Sequence, residues 1–326
     1  MSSLPCHSDG VVGKASTQCL SEFVANPQLS RRPHACTRQS STTGESMVGR
    51  AGMTRLWVLI EHPGPWPASA PDDILPVALT EKIYATQGRI RVVLIRRPRN
   101  RQVLTPTCVL AWTDGTRQWM REGSVERYED LSVLPFESMA AGVEPDFGRS
   151  RAEPLFAVCT HGKKDACCAE LGRPVVSALD AARIADVWEC SHIGGDRFAA
   201  NMIAWPAAVY FSRLDGDSAT DAVEKYLNGE LSVTHLRGRA ALSQAAQAAE
   251  HAVRRVTEIV ATDVLGSVNE RIDGVRTTVD LRLGSRDFRV VVRPGPPGQP
   301  FRHDCGSGGT VEWSGWIVEH LHERSH

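Results

Sequence analysis

Apolar residues are scattered without period through residues 1–52, which are rich in Ser, Thr, Gly and Arg. Such a segment buries too little apolar surface to offset the entropy of ordering, so residues 1–52 read as a disordered leader. Pattern begins at Leu56-Trp-Val-Leu-Ile60, a short β-rich run that Glu61-His-Pro-Gly-Pro-Trp66 interrupts. Asp72 and Asp73 then put negative charge at the start of a predicted helix whose apolar face is Ile74, Leu75, Leu79 and Ile83, ending at Gly88. A strand is expected over 89–95. The basic run Arg96-Arg-Pro-Arg-Asn-Arg101 follows and reads as a solvated hairpin loop, with phosphate binding the weaker alternative. Asp114-Gly115 between Cys108–Trp112 and Arg117–Met120 predicts a hairpin. Residues 53–150 thus form an α/β unit in the order β-α-β-β-β.

A second unit spans 151–232. A buried strand at Leu155–Val158 precedes a helix over 169–182 with Leu171, Val175, Val176 and Leu179 inward. A strand over 186–191, strands over 201–205 and 209–214 around Pro206, and a helix over 221–227 complete it. Strand, crossover helix, strand, hairpin and helix is the order of a thioredoxin-like unit. Residues 233–326 read as an α+β accessory module: an Ala-rich amphipathic helix over 239–262, a hairpin turning at Gly284-Ser285, a Pro/Gly-rich loop over 294–309, and a last apolar stretch carrying Trp313, Trp316 and Val318. The expected fold class is therefore α/β, a thioredoxin-like domain between a smaller α/β unit and an α+β module.

Composition removes several function classes. The formal net charge of −1 over 326 residues leaves no global electrostatic argument for nucleic acid or an anionic membrane. No apolar run reaches 18 residues, so no transmembrane helix is expected. The first ten residues lack a basic stretch followed by an apolar one, which speaks against a secretory signal and for a cytoplasmic location. Nine cysteines, odd in number and clustered, then read as reduced thiols and metal ligands.

The candidate chemistry lies in Cys159-Thr-His-Gly-Lys-Lys-Asp-Ala-Cys-Cys168 and Cys190-Ser-His-Ile-Gly-Gly-Asp-Arg-Phe198. Soft thiolates and imidazoles gathered on loops beside strand ends suit a soft metal or an iron–sulfur cluster. Cys159 ends a strand and Cys168 precedes a helix. Cys167 and Cys168 are adjacent and cannot readily point at the same iron, so one of the two is a bystander. If residues 188–192 are extended, Cys190 and His192 face one side. If the Gly194-Gly195 loop folds back, His192 meets Asp196 instead. The glycine pair suggests close backbone approach to the inorganic core. His161 reads as a loop hydrogen-bonder, Arg197 as a charge neutraliser or a surface ion pair, and His62 with Trp66 as a packing corner. Cys6, Cys19, Cys36 and Cys305 show no ligand spacing.

The runs CTHGKKDACC, CSHIGGDRFAAN and WVLIEHPGPW resemble those of the sucrase/ferredoxin-like family, from about residue 36 to the C-terminus. The resemblance implies a thioredoxin-like ferredoxin domain holding a [2Fe–2S] cluster through two cysteines nine apart and two histidines four apart. On this chain these positions are Cys159, Cys168, His192 and, where the second histidine belongs, Asp196. The fourth ligand is thus open between Asp196 by position and Cys190 by chemistry. The implied role is electron transfer with a redox partner protein, a reductase or an acceptor, more than stand-alone enzymatic turnover.

Two rivals remain. A thioredoxin-like thiol oxidoreductase would use Cys159, Cys167 or Cys168, but the chain has no Cys-x-x-Cys. A structural zinc module would bind through Cys159, Cys168, Cys190 and His192, although the spacing is wide for a knuckle. A nucleotide-binding glycine fingerprint is absent, so a flavin or nicotinamide would belong to a partner.

Overall fold

The computed structural model describes residues 18–19, 29–99, 102–298, 300–306, 309–312 and 314–324. Cys6, Arg101 and Trp313 of the sequence reading lie outside them. The chain builds a mixed α/β structure around a ten-stranded sheet, with a second, five-stranded antiparallel sheet beside it.

The large sheet is two copies of one strand order. In the first half, Leu56–Glu61 pairs in parallel with Ile90–Arg96 on one side and antiparallel with Thr107–Thr113 on the other, followed by Gln118–Ser124. In the second, Leu155–Cys159 pairs in parallel with Asp186–Cys190 and antiparallel with Asn201–Trp205, followed by Val209–Ser212. Each parallel pair is closed by a crossover helix, Val77–Ala85 in one half and Ala166–Ala182 in the other. The halves meet through their equivalent second strands, which run antiparallel and share only the pairs Ile95↔Cys190 and Arg96↔Glu189.

So short a ladder is reinforced by side chains. Arg96 donates to Glu189 at 2.7 Å, and Thr160 Oγ1 donates to the same carboxylate at 2.7 Å. Arg97 pairs with Asp186 and stacks on Trp188 at 3.8 Å, and Arg99 pairs with Asp180. The basic run is therefore no hairpin loop. Strands Ile90–Arg96 and Thr107–Thr113 are not neighbours, because Leu56–Glu61 lies between them. The arginines instead hold one half to the other.

Cores form on both faces. Leu56, Val58 and Ile60 pack with Leu79, Ile83 and Phe136 on one side of the first half. Trp57, Leu59, Trp188, Trp205 and Tyr210 share a cluster that runs across the junction. Strands buried on both faces explain why their sequences read as continuous apolar runs instead of alternating ones.

Residues 36–52 depart most from the sequence reading. Cys36–Thr42 is a helix with Cys36, Thr37 and Ser40 buried, and Glu45 has no exposure. Arg197 grips Glu45 with Nε at 2.8 and 3.0 Å from its two oxygens. Arg213 donates to Ser40 Oγ and to the Glu45 carbonyl, while Arg237 donates to the Arg50 carbonyl. The segment is ordered by buried arginines from distant parts of the chain, an anchoring that apolar periodicity does not register. Arg197 is accordingly a buried ion-pair partner and not a surface one.

The last third contains the five-stranded sheet, with Leu265–Asp273, Arg276–Leu283, Arg286–Pro294 and Trp316–Arg324 in meander pairing. The Ala-rich helix is shorter than its pattern suggested, Gln244–Thr257 with Ser243 as N-cap. Leu236–Arg239, ahead of it, is the edge strand of the large sheet. Among the described residues no helix is long and apolar enough to cross a membrane.

Candidate metal centre

Three donor groups converge at the seam between the halves. Cys159 closes the strand Leu155–Cys159, directly opposite Cys190 in the parallel ladder. Helix Ala166–Ala182 begins under the Asp165 cap, whose carboxylate accepts from the Cys167 amide at 2.8 Å. Cys168 thus sits inside the first helical turn and not before the helix, because the helix starts three residues earlier than its apolar pattern suggests. Gly172, one turn on, crosses so close to the strand that a Cβ would stand 2.1 Å from the Cys159 carbonyl oxygen. Only glycine brings the helix this near, and the approach sets the Cys159–Cys168 separation.

After Cys190 the chain leaves the sheet and folds back through Gly194 and Gly195, both at positive φ, into the short 3-10 turn Asp196–Phe198. This is the folded-back alternative of the sequence reading. His192 and Asp196 come together, with Nδ1 2.9 Å from Oδ1. The two glycines serve the turn and a protein contact: Arg237 donates to the Gly194 carbonyl, and a Cβ at Gly195 would strike that guanidinium at 2.2 Å. Their close approach is to Arg237.

Ligand atoms of Cys159, Cys168 and His192 lie within 4.8 Å of one another. Asp196 Oδ1 stands beside two of them, 2.9 Å from His192 Nδ1 and accepting from Cys168 Sγ at 3.4 Å. Cys190 is fully buried in the same apolar cluster, but its sulfur is not among the converging donors. His161 is committed elsewhere: Nδ1 accepts from the His192 amide at 3.2 Å, which leaves Nε2–H to donate to the Pro67 carbonyl at 2.8 Å. Trp66 packs its edge on that ring at 5.9 Å and is capped by Arg96, so the His62–Trp66 turn braces the site from the other half of the sheet.

The electrostatics are those of a coupled set. The Cys168 thiol and the neighbouring imidazole hold Cys159 well below the usual thiol range, against the cost of burial. Cys168 is pushed up, first by sharing its proton with Cys159 and then by burial. Burial opposes a charged His192, but Asp196 and Cys159 outweigh it and raise the imidazole to about 9. Burial likewise opposes ionisation of Asp196, and His192 reverses it, holding the carboxyl below its ordinary value. The His192–Asp196 contact is therefore a close charge pair. It lacks hydrogen-bond alignment, and Nδ1 is a buried nitrogen with no hydrogen-bond partner among the described residues. A buried imidazole nitrogen left unsatisfied beside two thiols is costly unless something else meets it.

The structure also gives Cys167 a place. Successive helical residues turn by about 100°, so adjacent cysteines face different sides. Cys168 faces Cys159, whereas Cys167 faces Cys36 and Cys305. Cys36, Asp165, Cys167 and Cys305 form a second convergent group. Spacing offered no signal for it, since 269 residues separate Cys36 from Cys305. The only local hint was the Asp165-x-Cys167 pair at a helix start.

None of the curated proteins and none of the solved structures searched matches the chain. The sequence profile described as sucrase/ferredoxin-like does match, over residues 47–238, which contain both crossover helices, the whole large sheet up to Gly238, and the Cys159–Cys168–His192 group. That match covers more than half of the chain, and the chain belongs to the sucrase/ferredoxin-like family.

Proposed function

We propose that this protein is an electron carrier whose [2Fe–2S] cluster is held by Cys159, Cys168, His192 and Asp196, within a thioredoxin-like ferredoxin domain. One observation carries the reading: the ligand atoms of two buried thiols and an imidazole converge within 4.8 Å, with the Asp196 carboxylate beside two of them. The donor set fits iron, because thiolate and imidazole are both known cluster ligands; the carboxylate is the harder, less usual member. Imidazole ligation implies a higher reduction potential than four thiolates give, with proton coupling at the ring. Cys159 and Cys168 are shielded from water, while the His192 side chain keeps 19% exposure. The imidazole edge is thus the face that a reductase or acceptor protein would meet, in a cytoplasmic setting where the thiols stay reduced.

A second reading rests on the compactness of the group. Three donors within 4.8 Å also suit a single tetrahedral zinc ion. Protein purified without oxygen decides between them. The electron-transfer reading expects a reddish-brown protein with about two irons and two sulfides per chain, and a paramagnetic signal after one-electron reduction. A colourless chain holding zinc at Cys159 and Cys168 refutes it. A colourless, metal-free chain with a reactive Cys159 would support thiol chemistry instead.

A further inference from the structure

The second thiol group is built as carefully as the first. Cys36 Sγ lies 3.7 Å from Cys167 Sγ and 3.5 Å from Cys305 Sγ, and Cys167 Sγ lies 3.3 Å from Cys305 Sγ. Asp165 Oδ2 stands 3.7 Å from Cys36 Sγ. Zinc–sulfur bonds of about 2.3 Å and zinc–oxygen bonds of about 2.0 Å set tetrahedral edges of about 3.8 Å between thiolates and about 3.5 Å between thiolate and oxygen. The observed triangle is that of a tetrahedral thiolate face, slightly contracted.

The surroundings are those of a ligand shell. Asp165 is pinned by two amides, accepting from Cys167 N at 2.8 Å and from Cys305 N at 2.7 Å, one at each oxygen. That fixes its carboxylate and leaves a further lone pair on each oxygen. Thr37 Oγ1 lies 3.4 Å from Cys167 Sγ, and the Cys36 amide donates to Cys305 Sγ at 3.5 Å. Cys36, Cys167 and Asp165 are buried, and Cys305 is half-buried. Three thiols and a carboxylate packed together, with none joined in a disulfide, are hard to explain as ordinary core.

We propose that Cys36, Cys167, Cys305 and Asp165 form a structural site for one tetrahedral zinc ion. The ion joins three parts of the chain that share no strand: helix Cys36–Thr42, the first turn of helix Ala166–Ala182, and the loop around Cys305. On binding, each thiol that is still protonated releases its proton to solvent and the sulfur lone pair forms the metal bond; no electron is transferred. Two of its sulfurs lie outside residues 47–238, so the site depends on the flanking segments of this chain. It shares a helical turn with the Cys159–Cys168 group but no ligand.

The test uses the full chain, reduced and purified without oxygen, then titrated with zinc or with cobalt as a spectroscopic stand-in. Wild type should take up one zinc that survives desalting, and one cobalt showing intense thiolate charge-transfer and tetrahedral d–d bands. Cys305→Ser, in a peripheral loop where misfolding is a small concern, should lose both signatures while keeping whatever metal Cys159 and Cys168 bind. Thr37→Val, which removes only the hydroxyl beside Cys167, should weaken zinc by about ten- to a hundred-fold. Alkylation mapped by mass spectrometry supplies a readout that needs no variant: zinc should protect Cys36, Cys167 and Cys305, and a chelator should expose them. Labelling of these three that is the same with and without zinc would overturn the proposal, as would a Cys167–Cys305 disulfide in freshly isolated protein or zinc retention unchanged in Cys305→Ser. None of these outcomes bears on iron at Cys159, so the two sites stand or fall separately.

Discussion

The two thiol groups differ in how the chain assembles them, although they share one helical turn. Cys159, Cys168, His192 and Asp196 lie within a single strand–helix–strand–turn unit, and the sheet ladder sets their spacing. Cys36, Asp165, Cys167 and Cys305 come from three remote segments, held by side-chain and amide contacts. A local group is rigid because its scaffold is one covalently continuous element pair. A remote group is only as well placed as the docking of its segments, so its loss should loosen the periphery and leave the sheet standing.

The largest expected effect is on the local group alone. Cys159→Ser or Cys168→Ser should abolish the visible absorbance and iron content of anaerobically isolated protein, while zinc protection of Cys36 and Cys305 persists. Loss of both together would show that the groups are one unit.

Next comes the docking that holds the remote group. Glu45→Ala removes the buried carboxylate that Arg197 Nε grips, a change of about 3–5 kcal/mol when one partner of a buried pair is removed. Limited proteolysis should then cut within residues 36–52, with the large sheet resistant. A cleavage pattern like that of wild type would mean that the segment is held some other way.

Gly172→Ala acts in the opposite direction, on the local scaffold. Its Cβ meets the Cys159 carbonyl, and overpacking of this kind costs about 1–3 kcal/mol. A lowered melting temperature with reduced iron content is expected, against unchanged zinc retention.

Cys190→Ala separates the two candidates for the fourth corner with a smaller effect. It should leave the visible spectrum as it is and cost about 1 kcal/mol of core packing, whereas Asp196→Ala should bleach or shift the spectrum. A spectrum that responds to Cys190→Ala alone would reverse the assignment.

The smallest effect is a control remote from both groups. Burial opposes ionisation of Asp114 in the hairpin, but the amides of Arg117 and Thr116 outweigh it and hold the carboxyl at about 2, against 3.8 ordinarily. A depressed carboxyl contributes stability above its unfolded value and loses it as pH falls toward the folded one. Asp114→Asn should therefore flatten the fall in melting temperature between about pH 4 and pH 2, by less than ~1 kcal/mol because the Arg117 it pairs with is exposed to solvent. Neither metal content should change.

Much of this was legible in the residues. The strands Leu56–Glu61 and Leu155–Cys159 announced themselves as apolar runs, Asp114-Gly115 as a turn, and the β-α-β-β-β order of the first half as a pattern. The identity of strand neighbours was not: the basic run has the pattern of a hairpin loop, yet its arginines bridge to Asp180, Asp186 and Glu189. That both halves share one strand order is likewise a property of pairing, with no repeat in the residues to announce it.

What the sequence determined by itself was the chemistry: thiols and an imidazole concentrated between residues 159 and 196, at a strand end and a helix start, because period and spacing are local quantities. What only the tertiary structure decided was which of them meet. The fold-back after Cys190 brought Asp196 against His192 and Cys168. Helical rotation sent Cys167 away from Cys168, toward two cysteines 131 and 138 residues distant. Contacts at that separation depend on how whole elements dock, through buried ion pairs and close backbone approaches, and these leave no period along the chain.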